Sequence, residues 1–346
     1  MDALSTPGAT EPVKVDVVSE QQTNKSLVSS AQPTKFRMIA LDLDGTLLHS
    51  NHKISEKSVE YLRDLQARGM LVLLATGRAP CTMYEHVLHL NLPYEHGMPV
   101  VTSNGALGLY VKPVAANSDC EVSPVYNPKD VSEGVTIQEL FYEPVPHDVT
   151  MRSIALANRL GHVCQFYWEN DIYANPSAKH QYELTQAYKD LTGSQTIYVN
   201  DDFAELMSSS SSSGPVLPSK FLVMCDKSDQ DDMVDAFNEE FGDEATIVRG
   251  SYGWFLEVLH KDVCKGNGLQ RLCQHVDIPI EQCIAFGDGD NDLEFIEMAG
   301  WGVAMKNARD CIMKVSDEVA AYTNNEDGVI RTLQRMEEEG LLDVTC

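Results

Sequence analysis

The chain contains 346 residues, which exceeds the usual size of a single domain and predicts two domains. Its 52 acidic and 26 basic side chains give a formal net charge of -26, which repels DNA, RNA and anionic lipid, so no nucleic acid partner is expected. No uninterrupted apolar run approaches the roughly 18–20 residues needed to span a membrane, so no membrane partner is expected either.

The N-terminal segment contains neither the hydrophobic stretch of a secretory signal nor the acid-poor composition of a transit peptide. Its polar, Ser/Thr-rich composition predicts a disordered tail over residues 1–35. The nine cysteines are scattered along the chain without a C-x-x-C pair, so neither a zinc framework nor a disulfide scaffold is indicated. A reduced, cytoplasmic compartment fits this pattern.

The segment after the tail predicts alternating strands and helices. A buried strand is predicted at 36–41, and a helix capped by Ser55 follows it. Further on come a strand at 70–74, a helix at 80–89 and a strand at 100–102. This order predicts a parallel sheet covered by helices, in which ligands bind outside the carboxyl ends of the strands.

The pattern changes after this first part of the core, which we place at residues 36–108. Short strands and helices with turn signals predict an inserted α+β domain over 109–257, and the α/β pattern resumes in the second part of the core, 258–346. The serine run 208–213 predicts a solvated loop. A domain inserted at the carboxyl end of a strand lies over the site and can act as a lid.

Two carboxylates one residue apart follow the first predicted strand. The Asp42 carboxylate can attack phosphorus and form an aspartyl-phosphate, while Asp44 can serve as general acid for the leaving group and then as general base for water. An ordinary turn and a calcium loop are the alternatives for this pattern. The calcium loop fails because Leu47 occupies the position that requires Gly and Lys53 the position that requires the bidentate Glu.

Two further stretches supply a hydroxyl and cations. The Thr76 hydroxyl and the N–H groups around Gly77 can hold a phosphate oxygen, although Thr before Gly is also a common turn. Arg78 can contact the substrate or the cap, or equally be a surface cation. Lys265 precedes a predicted helix, where its ammonium and the helix N-terminus can jointly neutralise a transferring group.

The acidic stretch 287–292 follows another predicted buried strand. Asp288 and Asp42 together provide the hard oxygen ligands that Mg²⁺ prefers. Asn291 and Asp292 can orient these ligands or Lys265 through hydrogen bonds without binding the ion themselves.

With these four stretches in order, the chain resembles the haloacid dehalogenase superfamily, and within it the Cof-type phosphatases of subfamily IIB. The resemblance covers residues 36 to about 335 and includes the stretch 103–106 before the cap, which makes Asn104 a substrate-facing or cap-facing candidate. It implies an α/β fold, with a Rossmann-like, doubly wound parallel-sheet core and an inserted α+β cap of the C2 type.

The resemblance also implies a chemistry. Mg²⁺ would be held by the carboxylates of Asp42 and Asp288 and by the backbone carbonyl of Asp44. The enzyme would be a phosphoric monoester hydrolase acting on small phosphorylated metabolites, such as sugar phosphates or phosphorylated cofactors, through an aspartyl-phosphate. Because specificity in this family resides in the cap, Lys220 and Glu257 are candidates to face the cleft, with ordinary surface or pairing roles as the alternative.

Two other functions remain open at this point. A phosphotransferase of the same superfamily, such as a sugar phosphomutase, would use the same aspartyl-phosphate but pass the phosphoryl group to a second hydroxyl. A non-catalytic metabolite-binding protein would not need every reactive side chain. The physiological substrate and the oligomeric state do not follow from the sequence.

Overall fold

The computed structural model describes residues 35–114, 134–200, 202–211, 214–250 and 253–345. Residues 1–34 of the predicted tail lie outside the described residues, so that prediction is not tested.

The strands are numbered in chain order through the described part of the chain. They are β1 Met38–Leu41, β2 Leu71–Ala75, β3 Met98–Thr102, β4 Leu107–Pro113, β5 Val135–Tyr142, β6 Val163–Trp168, β7 Asp171–Ala174, β8 Ile197–Tyr198, β9 Ser210–Ser211, β10 Gly214–Pro215, β11 Lys220–Met224, β12 Ala245–Arg249, β13 Phe255–His260, β14 Cys283–Gly287, β15 Trp301–Ala304 and β16 Glu318–Val319.

The α-helices are numbered in the same way. They are α1 Glu56–Ala67, α2 Tyr84–Leu90, α3 His147–Leu160, α4 Lys179–Thr192, α5 Ala204–Ser208, α6 Gln230–Phe241, α7 Lys265–Val276, α8 Leu293–Met298, α9 Asp310–Val315 and α10 Gly328–Glu338. Short 3₁₀ turns lie at Pro80–Thr82, Ser103–Gly105, Lys227–Asp229, Gly242–Glu244, Ile280–Gln282, Asp290–Asp292 and Asn324–Glu326. None of the helices in the described ranges has both the length and the apolar character needed to cross a membrane.

Eight strands form a central sheet in the order β16-β15-β14-β1-β2-β3-β4-β5. The pairs from β16 to β3 are parallel, whereas β4 and β5 pair antiparallel at one edge. The chain moves away from β1 in one direction through β2 and β3, and in the other through β14 and β15. The boundary between β1 and β14 is therefore the switch point where α/β sheets bind ligands. The predicted α/β fold with a parallel-sheet core is confirmed.

Six strands form a second sheet in the order β12-β13-β11-β6-β7-β8. Alternate residues of these strands point to opposite faces, as the two-residue period of a strand requires. One face carries Phe166 and Phe221, which pack with residues of α3 and α6. The other carries Tyr167 and Leu222, which cluster with Ala79 from the loop after β2. We call residues 143–260, which contain this sheet, the inserted module.

The predicted boundaries of the insertion are wrong at both ends. The strands β4 and β5 extend the central sheet beyond β3, so this sheet continues to Tyr142 rather than ending at residue 108. At the other end, β13 pairs with β11 and β12, so the second sheet continues to His260 rather than ending at residue 257. An antiparallel edge strand of one sheet and a strand of a separate sheet have the same alternation of apolar and polar residues. The sequence pattern therefore does not show which sheet such a strand joins.

Local differences are smaller. The helix predicted at 80–89 is broken into a 3₁₀ turn and α2, because the Pro80 turn ends at Met83 before the α-helix begins. The predicted serine loop is also wrong in part: Ser208 ends α5, and β9 pairs with β10. The helix predicted after Ser55 is α1, whose Ser58 N–H donates to the Ser55 hydroxyl.

Candidate active site

The two carboxylates expected to hold a cation lie at the ends of adjacent strands. Asp42 directly follows β1, and its N–H donates to the carbonyl of Phe286 at 3.0 Å, which continues the ladder between β1 and β14. Asp288 directly follows β14. Carboxylate oxygens of Asp42, Asp288 and Asp292 all lie within 4.8 Å of one another. The sheet order alone therefore brings together residues that are far apart in the sequence.

Lys265 lies between two of these carboxylates. It is the first residue of α7 and is buried, and its Nζ donates to Asp42 Oδ1 and to Asp292 Oδ1, each at 2.6 Å. Burial opposes its charge, but the two carboxylates outweigh this and raise the pKa of the Lys265 ammonium, which stays protonated at neutral pH. The predicted lysine is thus a fixed positive charge beside the proposed nucleophile.

Asp292 orients the loop that carries Asp288. Its second oxygen, Oδ2, accepts the N–H groups of Asp288 and Gly289 at 3.0 and 2.9 Å. Both of its oxygens therefore have donors within the protein. The Thr46 hydroxyl donates to Asp288 Oδ1 at 3.1 Å, a contact that sequence reasoning did not foresee although Thr46 stands in the first motif.

The acidic cluster carries more negative charge than the protein neutralises. Burial, and then the charge of Asp292, raise the pKa of Asp42 well above its usual range. The same two causes raise the pKa of Asp288 to about 7. A buried divalent cation would remove this repulsion, and an all-oxygen donor set suits Mg²⁺. The residues present therefore fit the predicted ion.

Asp44 is half-exposed and is held by Arg78. The guanidinium makes a two-pronged contact, with Nε donating to Asp44 Oδ2 and Nη2 donating to Asp44 Oδ1, each at 2.6 Å. Burial tends to raise the pKa of Asp44, but the hydrogen bond and the charge of Arg78 lower it overall. Arg78 was expected to contact substrate or cap, and the side chain it reaches here is the proposed acid/base.

The loops after β2 and β3 meet at the same edge of the sheet. The Thr76 hydroxyl accepts the N–H of Arg78 at 3.1 Å, and the Asn104 N–H donates to the Thr76 carbonyl at 3.1 Å. Asn104 has a positive φ of 56°, and its Oδ1 accepts Nδ2 of Asn291 at 2.9 Å. Its Nδ2 donates to Glu257 of the inserted module at 2.5 Å.

A cavity of about 410 Å³ opens over this edge. Central-sheet residues and the inserted module both line it. Among the central-sheet residues are the predicted Asp42, Asp44, Thr76, Gly77, Arg78, Asn104, Asp288 and Asn291; the inserted module contributes Tyr167, Ile172, Tyr188, Lys220, Arg249, Phe255 and Glu257. The described residues thus enclose a space in which a small molecule can reach Asp42.

Gly45 makes the close approach of Asp288 possible. Its φ is +79°, and a Cβ at this position would lie 2.2 Å from Asp288 Oδ2. We expect Gly45→Ala to displace Asp288 and weaken Mg²⁺ binding at least about tenfold, as loss of a supporting contact at a metal site does. The measurement is the increase in Tm on titrating the protein with Mg²⁺.

Gly161→Ala is the matched control for that experiment. Gly161 has nearly the same φ, +78°, and nothing lies within 4 Å of its Cβ position. Both variants should lose about 1–2 kcal/mol from the left-handed backbone conformation. Only Gly45→Ala should change the Mg²⁺ response, and an equal response in the two variants would contradict the assigned role of Gly45.

The fold and the site together define an α/β enzyme with an acidic cluster and a buried lysine at the switch point of its sheet. A family model for haloacid dehalogenase-like hydrolases matches residues 39–119 and 132–333. The chain belongs to this haloacid dehalogenase-like hydrolase family. The predicted family is therefore confirmed, and with it an enzyme of the hydrolase class.

Comparison with individual proteins agrees with this assignment. The 5-amino-6-(5-phospho-D-ribitylamino)uracil phosphatase of Bacillus subtilis is 29% identical over 309 residues, which cover 87% of this chain and 97% of that protein. A haloacid dehalogenase-like hydrolase from Bacteroides thetaiotaomicron superposes with a TM-score of 0.69 at 25% identity, covering 87% of this chain and 100% of that one. A structure described as a subclass IIB sugar phosphatase shares the fold, with a TM-score of 0.63 at 20% identity over 88% of this chain and 100% of the other.

Proposed function

We propose that this protein is a Mg²⁺-dependent phosphatase that hydrolyses small phosphorylated metabolites through an aspartyl-phosphate on Asp42. The observation that carries the proposal is the contact between Lys265 and Asp42 at the edge of a cavity that can admit a small ester. Sugar phosphates and phosphorylated cofactors are the proposed substrates, and the relative from Bacillus subtilis that is 29% identical is a phosphatase. The scattered cysteines support a reduced, cytoplasmic compartment.

The first half of the reaction uses Asp42 as nucleophile. Lys265 occupies Oδ1 of this carboxylate, which fixes the side chain and leaves Oδ2 to attack phosphorus. The P–O bond to the leaving group breaks as the bond from Asp42 forms, and the leaving alkoxide needs a proton. Asp44 is the proposed proton donor. To act in this step, Asp44 must carry a proton and its contact with Arg78 must break.

In the second half of the reaction Asp44 is proposed to act as a base, and its contact with Arg78 suits this role. Arg78 lowers the pKa of this carboxyl group, so Asp44 is ionised and can take a proton from water. The hydroxide then attacks phosphorus, the bond to Asp42 breaks, and inorganic phosphate leaves. The Thr76 hydroxyl and the N–H groups near Gly77 are the proposed holders of the phosphate oxygens.

Asp42, Asp288 and the Asp44 carbonyl are the proposed holders of Mg²⁺. When bound, the ion neutralises the negative charge of phosphate and carboxylates so that they can approach each other. Asp292 and Thr46 keep Asp288 in place for this purpose.

The Mg²⁺ requirement should depend on pH. Burial and Asp292 raise the pKa of Asp288 to about 7 in the absence of the ion. Below that pH the carboxyl group holds a proton that must leave before the ion binds. The Mg²⁺ concentration for half-maximal activity should therefore rise as pH falls through about 7, by about tenfold per pH unit for each proton that the ion displaces. Activity measured in Mg²⁺ titrations at a series of pH values gives this concentration. A concentration that stays the same at every pH would contradict the prediction.

Phosphate release from a panel of sugar phosphates, nucleotides and phosphorylated cofactors tests the proposal directly. Release in the presence of Mg²⁺ would establish the hydrolase and rank its substrates. Transfer to a second hydroxyl without net release would instead indicate the phosphotransferase. Binding of an ester without turnover would indicate a metabolite-binding protein.

A further inference from the structure

Two charged side chains of the inserted module are buried against each other. Lys220 lies on β11 and is 2% exposed, and Glu257 lies on the neighbouring β13 and is 7% exposed. Lys220 Nζ donates to Glu257 Oε1 at 2.5 Å, and the same ammonium lies 4.7 Å from the centre of the Tyr167 ring. A buried ion pair of this kind loses much hydration and is weak ground for a purely stabilising role.

Each member of this pair also makes one hydrogen bond to the central-sheet part of the site. Lys220 Nζ donates to the carbonyl of Gly77 at 3.0 Å, and Glu257 Oε2 accepts Nδ2 of Asn104 at 2.5 Å. Gly77 lies in the loop after β2, and Asn104 lies in the loop after β3. The pair therefore joins the inserted module to both loops that border the proposed phosphate position.

The second contact fixes the orientation of an amide beside the acidic cluster. An ionised Glu257 can only accept, so Asn104 must turn its NH₂ group toward Glu257 and its oxygen toward Asn291. Asn291 Nδ2 donates to that oxygen at 2.9 Å, and Asn291 lies between Asp288 and Asp292 in the same loop. A continuous series of hydrogen bonds thus runs from Lys220 to the loop that carries Asp288.

The ammonium of Lys220 is already neutralised where it stands. It meets one carboxylate, one carbonyl and one aromatic face, all within the protein. A second anionic group on a substrate would have to compete with Glu257 for this charge. This geometry favours a role for Lys220 in holding loops of the protein over direct binding of a charged leaving group.

We propose that Lys220 and Glu257 are positioning residues that tie the inserted module to the Gly77 and Asn104 loops and hold the phosphate site in its closed arrangement. This inference rests on the proposed function for its kinetic consequences, whereas its structural consequences do not depend on turnover. Neither residue touches the reacting atoms. Loss of the pair should loosen the two loops and misplace the ester.

Hydrogen exchange of backbone amides tests the structural part in the full chain. The N–H of Ser103 donates to the Arg78 carbonyl at 2.9 Å, and that of Asn104 donates to Thr76 at 3.1 Å, so both amides report on the joined loops. We expect Lys220→Met to accelerate exchange of these two amides at least about tenfold, because the bonds that restrain them are local. Unchanged exchange at both amides would overturn the proposal.

Val223→Ala is the matched control. Val223 lies on the opposite face of β11 and is fully buried among apolar residues of the inserted module. This variant should lower the Tm of the protein and leave exchange at Ser103 and Asn104 near the native rate. If it accelerates these amides as much as Lys220→Met does, general destabilisation explains the result and the proposal fails.

The kinetic part uses esters whose leaving groups differ in charge. A positioning pair should lower kcat/KM by a similar factor, about 10- to 100-fold, for glucose 6-phosphate and for phosphoserine, since both need the same phosphate placement. A loss confined to phosphoserine would mean that Lys220 binds the leaving group directly and would overturn the proposal. If Lys220→Met does not fold, the double variant Lys220→Met/Glu257→Met, which removes both buried charges and both contacts to the loops, takes its place in both measurements.

The two parts separate the inference from the proposed function. If the native protein hydrolyses none of the esters, the proposed function fails while amide exchange still decides the role of the pair. If the native protein is active and exchange in Lys220→Met is unchanged, the proposed function stands and this inference fails.

Discussion

Asp42→Asn is expected to lower kcat by at least about a thousandfold, because an amide cannot replace the attacking carboxylate in a covalent mechanism. The fold should survive the change. Asn has nearly the same shape as Asp, and the charge removed is one that burial and Asp292 already disfavour, as the raised pKa of Asp42 shows. Lys265 keeps its second partner, since Asp292 Oδ1 lies 2.6 Å from Nζ.

The measurement is phosphate release under saturating Mg²⁺, with Tm as the check on folding. Asp64→Asn is the control for the same chemical change, since Asp64 lies on the surface of α1 and pairs with Arg68, the residue that directly follows this helix. It should retain native activity. Native turnover by a folded Asp42→Asn protein would refute the assignment of the nucleophile.

Excess chelator is expected to abolish turnover and to lower the Tm. Asp42 and Asp288 are buried together, and both have a pKa raised above the usual value. A carboxyl group with a raised pKa in the folded state favours folding while it is protonated, and this contribution is lost as pH rises through the folded pKa. The protein without a cation should therefore become less stable as pH rises toward neutrality.

The Tm difference between samples with Mg²⁺ and with chelator should accordingly grow from about pH 6 to about pH 8, as Asp288 loses its proton. Restoring Mg²⁺ to the chelated sample should restore both Tm and activity. Asp288→Asn should reduce this Tm difference, because it removes one proposed ligand and one repelling charge. Full activity in excess chelator would refute the metal requirement.

Much of the site could be predicted because its residues are set by local sequence. Short apolar strands run directly into Asp42, Thr76 and Asp288, and parallel strands bring their carboxyl ends to one edge. The position of Lys265 at a helix start could be recognised from its place in the motif order. The structure brings these four residues together at one edge of the central sheet.

The contacts that could not be predicted are those made between distant elements. The sequence does not show that Arg78 reaches Asp44, because a long side chain near a turn has many possible partners. Lys220 and Glu257 could be named from the sequence as candidates to face the cleft, but their hydrogen bonds to Gly77 and Asn104 could not be predicted. Such contacts depend on how the loops of one sheet meet the strands of the other. The local spacing of apolar residues in the sequence does not give this arrangement.

The position of β1 in the central sheet has a consequence for biosynthesis. β1 pairs with β14 on one side, and Asp42 meets a lysine that lies 223 residues later in the chain. Until the ribosome has released residues 265–287, the nascent chain carries the proposed nucleophile, Asp42, without Lys265 beside it, and the edge of β1 that pairs with β14 stays uncovered. Such edges associate with other chains. A polypeptide whose translation stops before residue 265 would lack both the lysine beside Asp42 and the strand that pairs with β1 on that side, and we expect it to aggregate.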